Sequence, residues 1–459
     1  MFPSSAIDGL DPEPESDDLF VRQVERRDRD ALIALFTEAH TAPDGTPATS
    51  VGWWVQDLFG RPHPTVSFSE MLVAEDLRTG ALVSSLMMIP QTWCYDGVPL
   101  KVNCLELGAT RPEYRRRGLM SRQLELLLEG SARRGELIQA QTDILYFQRG
   151  FGYLPVMTQR AGRGGHAREL PPVPSGGEPV RVRPGSAADI PLLTELDDRM
   201  RRRVLLSCLR DEAQWTYELS GRSPGHMMRS EILIVESSTG PVGYLLLGYG
   251  GIPSHPIPHW LPGLECPEPV VSVAGFELLS GVSWWEVVPS VLRQLTAGGE
   301  IEGHDKPMDG YMLWLGTQHP AYDVLSDLLV RNPPHIGWFL RVPDKAALLQ
   351  EIRPVLEQRL IGTAAESFTG ELRIHLYHHG LSLRFEAGKL FGIGPWPAHS
   401  RRGSDASLPE QMFLQLIFGH ATWDELAPAF PDCRLQTRTA RLLLPLLFPR
   451  GTSSIWPLI

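Results

Sequence analysis

The sequence predicts an α+β protein in which mixed sheets are flanked by helices, arranged as three successive units. Three observations support this prediction. A strand over 102–110 is followed by a tight loop and an amphipathic helix. A pattern of residues between 21 and 80 recurs about 161 positions later. Alternating apolar residues over 370–377 and 381–386 predict a further antiparallel sheet, half buried under helices.

The composition is that of a globular protein with more than one domain. The chain has 459 residues, of which 42% are hydrophobic and 21% are charged. Its five cysteines are scattered and include no CxxC pair, so neither a disulfide framework nor a zinc site is predicted. No apolar run has the length of a membrane span, and no signal peptide is recognisable. We therefore expect a cytoplasmic protein that requires no metal and has no membrane partner.

The charge is unevenly distributed. The formal net charge is −11, and six carboxylates fall within residues 1–18, where there is no Lys or Arg. We expect this acidic, proline-containing tail to be disordered. The remaining body is mildly acidic, which disfavours nucleic acid as a partner and suits cationic substrates such as amines.

The first unit is predicted over 19–159 from the order of its periodic segments. Turn signals at Thr79-Gly80 and Asp96-Gly97 separate neighbouring strands. Strands are predicted at 20–24, 71–75, 81–90, 102–110 and 136–141, and helices at 30–39, 51–59 and after Gly118.

Three arginines and a glycine, Arg115 to Gly118, lie between the fourth strand and its following helix. The first turn of a helix has unpaired N–H groups and a partial positive charge, so it favours a diphosphate. Gly118 would let the backbone approach such a ligand closely, and the arginines would add charge. The alternative is a solvated basic turn, because Arg-x-x-Gly alone is a weak signal.

The downstream sequence decides between these alternatives. The loop contains Pro112 and Tyr114, and about thirty residues after Gly118 comes Tyr146-x-x-x-Gly150-Phe151. This order of strand, Arg-x-x-Gly loop, amphipathic helix, short strand and tyrosine turn resembles the acetyl-CoA-binding core of the GNAT N-acetyltransferases.

The resemblance implies a donor site on the fourth strand and the following loop. Backbone groups near Gly108 and Thr110 would pair with the pantetheine arm like an added strand. Met120 stands where the family usually has Gly or Ala, so we expect its side chain to turn outward. The residues implied in donor binding are Gly108, Thr110, Arg115, Arg116, Arg117, Gly118, Leu119 and Met120.

A linker is predicted over 160–179, which is rich in Gly and Pro and has no hydrophobic periodicity. The repeated pattern then predicts a second, degenerate GNAT-like unit over 180–342. The stretch Phe276–Trp285, where a donor loop would fall, has no basic residue. Trp284 and Trp285 are expected to pack in the core or between domains.

The third unit, 343–459, is predicted to contain a helix over 345–359, two strands and a helix near Ser407. His378 and His379 are interpreted as a hairpin turn rather than a metal site, since adjacent strand residues face opposite sides. The unit resembles a sterol carrier protein-like domain. The three units together resemble the Eis-type (enhanced intracellular survival) acetyltransferases, which implies a homo-oligomer.

The resemblance also implies the acid and the base. Tyr146 occupies the position of the general acid, since a phenol with pKa about 10 can protonate a departing thiolate. Its alternative role is an ordinary tyrosine at the edge of the core. In Eis-type proteins the base is the C-terminal carboxylate, which here belongs to Ile459. Glu106, beside the donor strand, is the rival base, and its alternative role is a surface strand residue.

The sequence thus predicts an acetyl-CoA-dependent N-acetyltransferase that acts on a primary amine. The acceptor could be aminoglycoside-like, polyamine-like or a lysine side chain, and the sequence leaves these open. The alternative from another class is a non-catalytic acyl-CoA or lipid-binding protein. Release of free thiol from acetyl-CoA in the presence of amines separates the two.

Overall fold

A computed structural model describes residues 18–42, 44–142, 146–160, 162–248, 270–298, 306–330, 336–397, 402–456 and 458. The predicted disorder of the acidic tail falls on residues that, apart from Asp18, lie outside this description. Within the described part, no helix has both the length and the apolar character needed to cross a bilayer.

The first part of the chain alternates strands and helices in the predicted order. Its strands are β1 (Leu19–Gln23), β2 (Met71–Asp76), β3 (Ala81–Tyr95), β4 (Val98–Thr110), β5 (Ile138–Thr142), β6 (Leu154–Arg160) and β7 (Arg163–His166). Its helices are α1 (Arg29–Ala39), α2 (Thr49–Gly60), α3 (Leu119–Arg133) and α4 (Tyr146–Arg149).

The middle part repeats this alternation. Its elements are β8 (Arg181–Pro184), α5 (Ile190–Arg201), β9 (Leu206–Cys208), α6 (Glu212–Ser220), β10 (Glu231–Ser237), β11 (Gly240–Leu247), β12 (Val270–Leu278), α7 (Trp284–Ala297), β13 (Gly310–Leu313), α8 (Pro320–Val324) and β14 (Ile336–Arg341).

The last part contains short strands covered by helices. Its elements are α9 (Lys345–Glu351), α10 (Arg353–Gln358), β15 (Gly370–His375), β16 (Gly380–Glu386), β17 (Lys389–Trp396), β18 (Ala406–Ser407), α11 (Glu410–Ile417), α12 (Trp423–Ala429), β19 (Arg434–Leu435), α13 (Arg438–Leu447) and β20 (Ser453–Ser454). The predicted helix over 345–359 is two helices, and Pro354 lies in the first turn of the second.

Three sheets organise these elements. The first sheet has the order β1-β2-β3-β4-β5-β14-β6, with β9 added to β3 and β20 to β9. The second has the order β7-β13-β12-β11-β10-β8, and the third β17-β16-β15-β18-β19. Each sheet contains both parallel and antiparallel pairs, so the predicted α+β architecture of mixed sheets and helices is confirmed.

The first two sheets exchange strands. β14, which follows the middle part of the chain, lies between β5 and β6 of the first sheet. In return β7 pairs with β13 at the edge of the second sheet. The segment 160–179, predicted as a linker, therefore contains a strand, and β14 lies in the first sheet although the predicted second unit extends to residue 342.

The internal repeat has a structural counterpart. Arg22 pairs with Asp28 at 2.7 Å and with Glu75 at 2.9 Å. The equivalent residues 161 positions later form the same triad, in which Arg183 pairs with Asp189 at 2.7 Å and with Glu236 at 2.6 Å. The pairing order β8-β10-β11-β12-β13 also repeats β1-β2-β3-β4-β5, including the parallel pair at the end.

The last part of the chain packs on one face of the first sheet. A continuous apolar core joins Trp93 and Trp338 of that sheet to Leu348, Leu356 and other residues after 343. His378 and His379 lie in the turn between β15 and β16, as predicted. Trp285 is 73% exposed, so its predicted packing role is wrong, whereas Trp284 packs against Phe276.

Candidate active site

The first sheet opens between β4 and β5. The two strands pair in parallel only from Val102 to Cys104, against Ile138 to Ala140, although β4 continues to Thr110. Beyond this point β5 keeps its pairing with β14 on its other side. The strands therefore diverge, which leaves a gap where backbone groups of β4 can accept an extended ligand as an added strand.

A β-bulge in β4 marks the same place. Leu107 has a φ of 41°, and the β3–β4 register shifts beside it. Leu105 packs with the core under α3, whereas Leu107, two residues later, packs with the core under α1 and α2. The bulge thus reverses which side of the sheet the following residues face.

The loop after β4 presents backbone and charge to the opening. Arg116 has a φ of 62°, and Gly118, in the N-cap position of α3, has a φ of 74°. The N–H groups of the first turn of α3 have no carbonyl partner within the helix. Arg116 is exposed and has no hydrogen bond or ion pair within the described part of the chain, while the Arg115 Nε–H donates to the Thr110 carbonyl at 3.3 Å.

A buried carboxylate holds the start of this loop. The hydroxyl of Tyr114 donates to Asp76 Oδ2 at 2.7 Å, and the guanidinium of Arg117 lies 5.0 Å above the Tyr114 ring. The Tyr114 hydrogen bond, together with that of the Arg78 amide, lowers the pKa of Asp76 to about 2. Asp76 is therefore ionised at neutral pH and fixes the loop as a hydrogen-bond acceptor.

Gly108 and Met120, both predicted in the donor site, lie against each other. A Cβ on Gly108 would come within 3.2 Å of Leu86 Cδ1 and 3.5 Å of Met120 Cε. Met120 is half buried and packs against the core under α3. Its predicted outward orientation is thus wrong: the flexible thioether fills the space that the missing side chain of Gly108 leaves.

Glu106 lies on the face of the sheet that the last part of the chain also covers. It is half buried, opposite Met87 of β3, and between Cys104 and the bulge. Burial raises the pKa of the Cys104 thiol well above its ordinary value, and the Glu106 charge adds to this shift. That thiol is therefore un-ionised at neutral pH.

The other two predicted catalytic groups are beyond the description. Tyr146 begins α4, the next described element after β5, but its side chain lies outside the described part of the chain. Ile459 also lies outside the described residues. Its neighbour Leu458 is described and is 1% exposed, and Ile455 is 6% exposed. The prediction that the apolar ending packs rather than frays is confirmed for these two residues.

Two residues that the sequence did not single out contact this ending. Gln91 of β3 bonds the backbone of Leu458, and Arg210 donates to the carbonyl of Trp456. Neither belongs to a motif, and each lies hundreds of positions from its partner, so no local signal could have found them.

A cavity of about 50 Å³ lies between the last residues of the chain, Ser454 and Trp456, and the second sheet. It is lined by Asp197, Arg210, Trp215, Tyr244 and Trp456, among others, and therefore belongs to the second sheet rather than to the β4–β5 opening. Within the described ranges, no group of three His, Cys, Asp or Glu residues could hold a metal ion.

Residues 21–154 match the family model of the acetyltransferase (GNAT) domain. The chain carries a GNAT N-acetyltransferase domain. The β4–β5 opening and the loop before α3 both lie inside the matched residues. No curated protein sequence matches the chain significantly.

Solved structures resemble the whole chain at low sequence identity. A GCN5-related N-acetyltransferase from Kribbella flavida has a TM-score of 0.60 at 16% identity, covering 95% of this chain and 98% of its own. One from Anabaena variabilis has a TM-score of 0.61 at 12% identity, covering 94% and 97%. Eis1 from Mycobacterium abscessus has a TM-score of 0.54 at 16% identity, covering 96% and 99%. The similarity in fold thus extends well beyond the GNAT domain.

Proposed function

We propose that this protein transfers an acetyl group from acetyl-CoA to a primary amine. The observation that carries the proposal is the coincidence, inside the GNAT domain, of three features. They are the divergence of β4 from β5, the unpaired N–H groups at the start of α3, and the cation of Arg116, which has no partner among the described residues. An acyl-CoA has a matching part for each, namely an amide-bearing arm, a diphosphate and further negative charge.

The donor site in this proposal follows the chain from Gly108 to Met120. The pantetheine amides pair with β4 near Gly108 and Thr110, beyond the point where β5 leaves. The diphosphate lies at the N–H groups of 116–120, and Arg115, Arg116 and Arg117 surround it with positive charge. Met120, packed on Gly108, forms the floor beneath the arm.

The reaction in this proposal requires two proton transfers. The neutral amine nitrogen attacks the thioester carbonyl carbon, and a base takes the proton that the nitrogen loses. The carbon–sulfur bond then breaks, and the phenol of Tyr146 protonates the departing thiolate. The products are the acetylated amine and free coenzyme A.

The base in this proposal is the carboxylate of Ile459. The position of Leu458 supports it, because Leu458 is buried against β3 on the face of the sheet that carries Glu106. Glu106 itself remains the rival, since it lies on β4 just before the bulge. The acceptor is a cationic amine of the aminoglycoside, polyamine or lysine type.

We also propose that the middle part of the chain is a degenerate GNAT-like unit and that residues 343–459 form a sterol carrier protein-like unit. The repeated triad of Arg183 and the repeated strand order support the first assignment. The alternating strands β15 and β16 covered by helices support the second.

The test extends the chain by three glycines after Ile459. An extended residue spans about 3.3–3.6 Å, so the terminal charge moves by up to roughly 10 Å. Since a misplacement of about 1 Å can cost on the order of 100-fold, we expect turnover to fall at least that much. Ile459→Val keeps the carboxylate and should be nearly silent. Thiol release from acetyl-CoA with an amine library measures both.

Glu106→Gln makes the opposite prediction. It keeps the size of the side chain and removes its charge, so it should leave turnover within a few-fold of the wild-type rate if Ile459 is the base. A fully active extended protein together with an inactive Glu106→Gln variant would assign the base to Glu106 instead.

A further inference from the structure

The end of the chain is docked by a strand ladder. β20 pairs in parallel with β9, through Ser453 opposite Leu206 and Ser454 opposite Ser207. β9 in turn pairs antiparallel with β3 of the first sheet. The ladder stops at Ser454, so other contacts must fix the residues that follow it.

Gln91 supplies one of these contacts. The amide of its side chain both accepts from the Leu458 N–H, at 3.2 Å, and donates to the Leu458 carbonyl. Gln91 is 6% exposed and Leu458 is 1% exposed, so neither bond competes with bulk water. A primary amide that bonds both backbone groups of one residue fixes the position of that residue relative to β3, which apolar packing alone does not.

Arg210 supplies the other contact, from the opposite side. Its guanidinium donates to the Trp456 carbonyl, pairs with Glu218 at 3.6 Å, and lies 5.3 Å from the Trp215 ring. Arg222 also bonds Glu218. Arg210 is therefore held by groups of α6 and is preorganised to receive the ending of the chain.

We propose that Gln91 and Arg210 are positioning residues that fix the register of the last residues of the chain and thereby place the terminal carboxylate for catalysis. The proposal rests on the proposed function, because it takes the carboxylate of Ile459 as the base. Gln91 acts from β3 and Arg210 from the loop between β9 and α6, so the geometry of the base depends on how the middle part of the chain is joined to the first sheet.

The test replaces Gln91 by Leu, which has a similar volume and makes neither bond. We expect the turnover number to fall roughly 10- to 100-fold, since the terminal carboxylate would no longer be held in position. Donor affinity should stay within twofold, because the donor loop makes no bond to Gln91 in the described part of the chain. Amide hydrogen exchange in 453–458 should speed up at least tenfold.

Gln294→Leu is the matched control. Gln294 makes an analogous pair of bonds to backbone groups, with Val182 N at 3.1 Å and with the Val180 carbonyl at 2.9 Å, but far from the end of the chain. It should leave both turnover and exchange in 453–458 unchanged. If Gln91→Leu fails to fold, Gln91→Glu retains the acceptor for Leu458 N, loses the donor and sets a negative charge against the Leu458 carbonyl, so it should likewise lower turnover and speed up exchange.

The two readouts separate this proposal from the proposed function. Exchange is measured without substrates, so it reports on the docking even if the wild-type protein acetylates no amine, which would refute the proposed function alone. Unchanged exchange in Gln91→Leu would refute the docking role. Faster exchange with an unchanged turnover number would refute the positioning role.

Discussion

Arg116 provides a sharp test of the proposed donor site because its backbone and its charge can be changed separately. It is a non-glycine residue at a φ of 62°, a conformation that costs an L-residue about 1–2 kcal/mol. Its side chain is exposed and makes no hydrogen bond or ion pair among the described residues that would offset this cost. We infer that the charge serves a bound anion.

The magnitude follows from one charge-assisted contact. Such a bond contributes about 1.5–3 kcal/mol when it is shielded from water, which corresponds to roughly 10- to 150-fold in affinity. Because Arg116 is exposed, solvent screens its charge, and we expect the lower end, about tenfold, for Arg116→Ala. Higher salt should reduce the difference between wild type and variant.

Calorimetric titration with acetyl-CoA at two salt concentrations measures this effect. Arg122→Ala is the control, since Arg122 lies at the end of the first turn of α3, is half exposed and already pairs with Glu125 at 3.8 Å. Arg116→Gly loses the same charge, so it should bind acetyl-CoA as weakly as Arg116→Ala. Because glycine suits the left-handed backbone, the free energy of unfolding of Arg116→Gly should be about 1 kcal/mol higher than that of Arg116→Ala. Equal affinity of Arg116→Ala and the wild type would refute the reasoning, and so would full recovery of binding in Arg116→Gly.

Three further predictions concern other parts of the molecule. Calorimetry should find one acetyl-CoA site per chain, because the start of α7 is already capped by Ser283 and carries the acidic Glu286, which repels a diphosphate; two equal sites would contradict this. Tyr146→Phe should lower the turnover number by roughly 10²–10⁴ with donor binding intact, and an unchanged rate would return Tyr146 to a structural role. Burial lowers the pKa of His63 to about 3 and of His226 to about 2, against about 6.5 in the unfolded chain, so only the unfolded chain takes up these protons between those values. The free energy of unfolding should therefore be unaffected by these groups above about pH 7 and fall below pH 6.5 by about 1.4 kcal/mol per pH unit for each histidine, as urea titrations can measure. His226→Asn, which keeps an acceptor for the Met228 N–H, should flatten that slope, and an unaltered slope would exclude His226 as its source.

The sequence predicts well those features that depend on neighbours along the chain. The loop from Pro112 to Gly118 and the start of α3 are encoded by a proline, a glycine and an apolar repeat within twenty residues. The turn at His378 is equally local. The repeat is also visible, because Arg183 and its two carboxylates keep the spacing of Arg22 and its partners.

Features that depend on distant partners were not predictable. Arg163-Gly-Gly-His166 has no strand pattern of its own, and it becomes β7 because β13 offers it a free edge. A Cβ on Gly164 would lie 2.5 Å from the carbonyl oxygen of Tyr311, so the glycine is needed for close pairing rather than for a linker. The orientation of Met120 likewise depends on Gly108, across the gap between helix and strand.

The strand exchange imposes an order on biosynthesis. When β6 has left the ribosome, β5 and β6 have no partner between them until β14 has been made. At about 5–20 residues per second this interval lasts roughly 10 to 35 s, during which two strand edges beside the proposed donor site stay open. A nascent chain in this state is prone to pair with the wrong strand. A fragment that ends at residue 159 would retain the same unsatisfied edges permanently, so we expect residues 19–159 not to fold as a detached module.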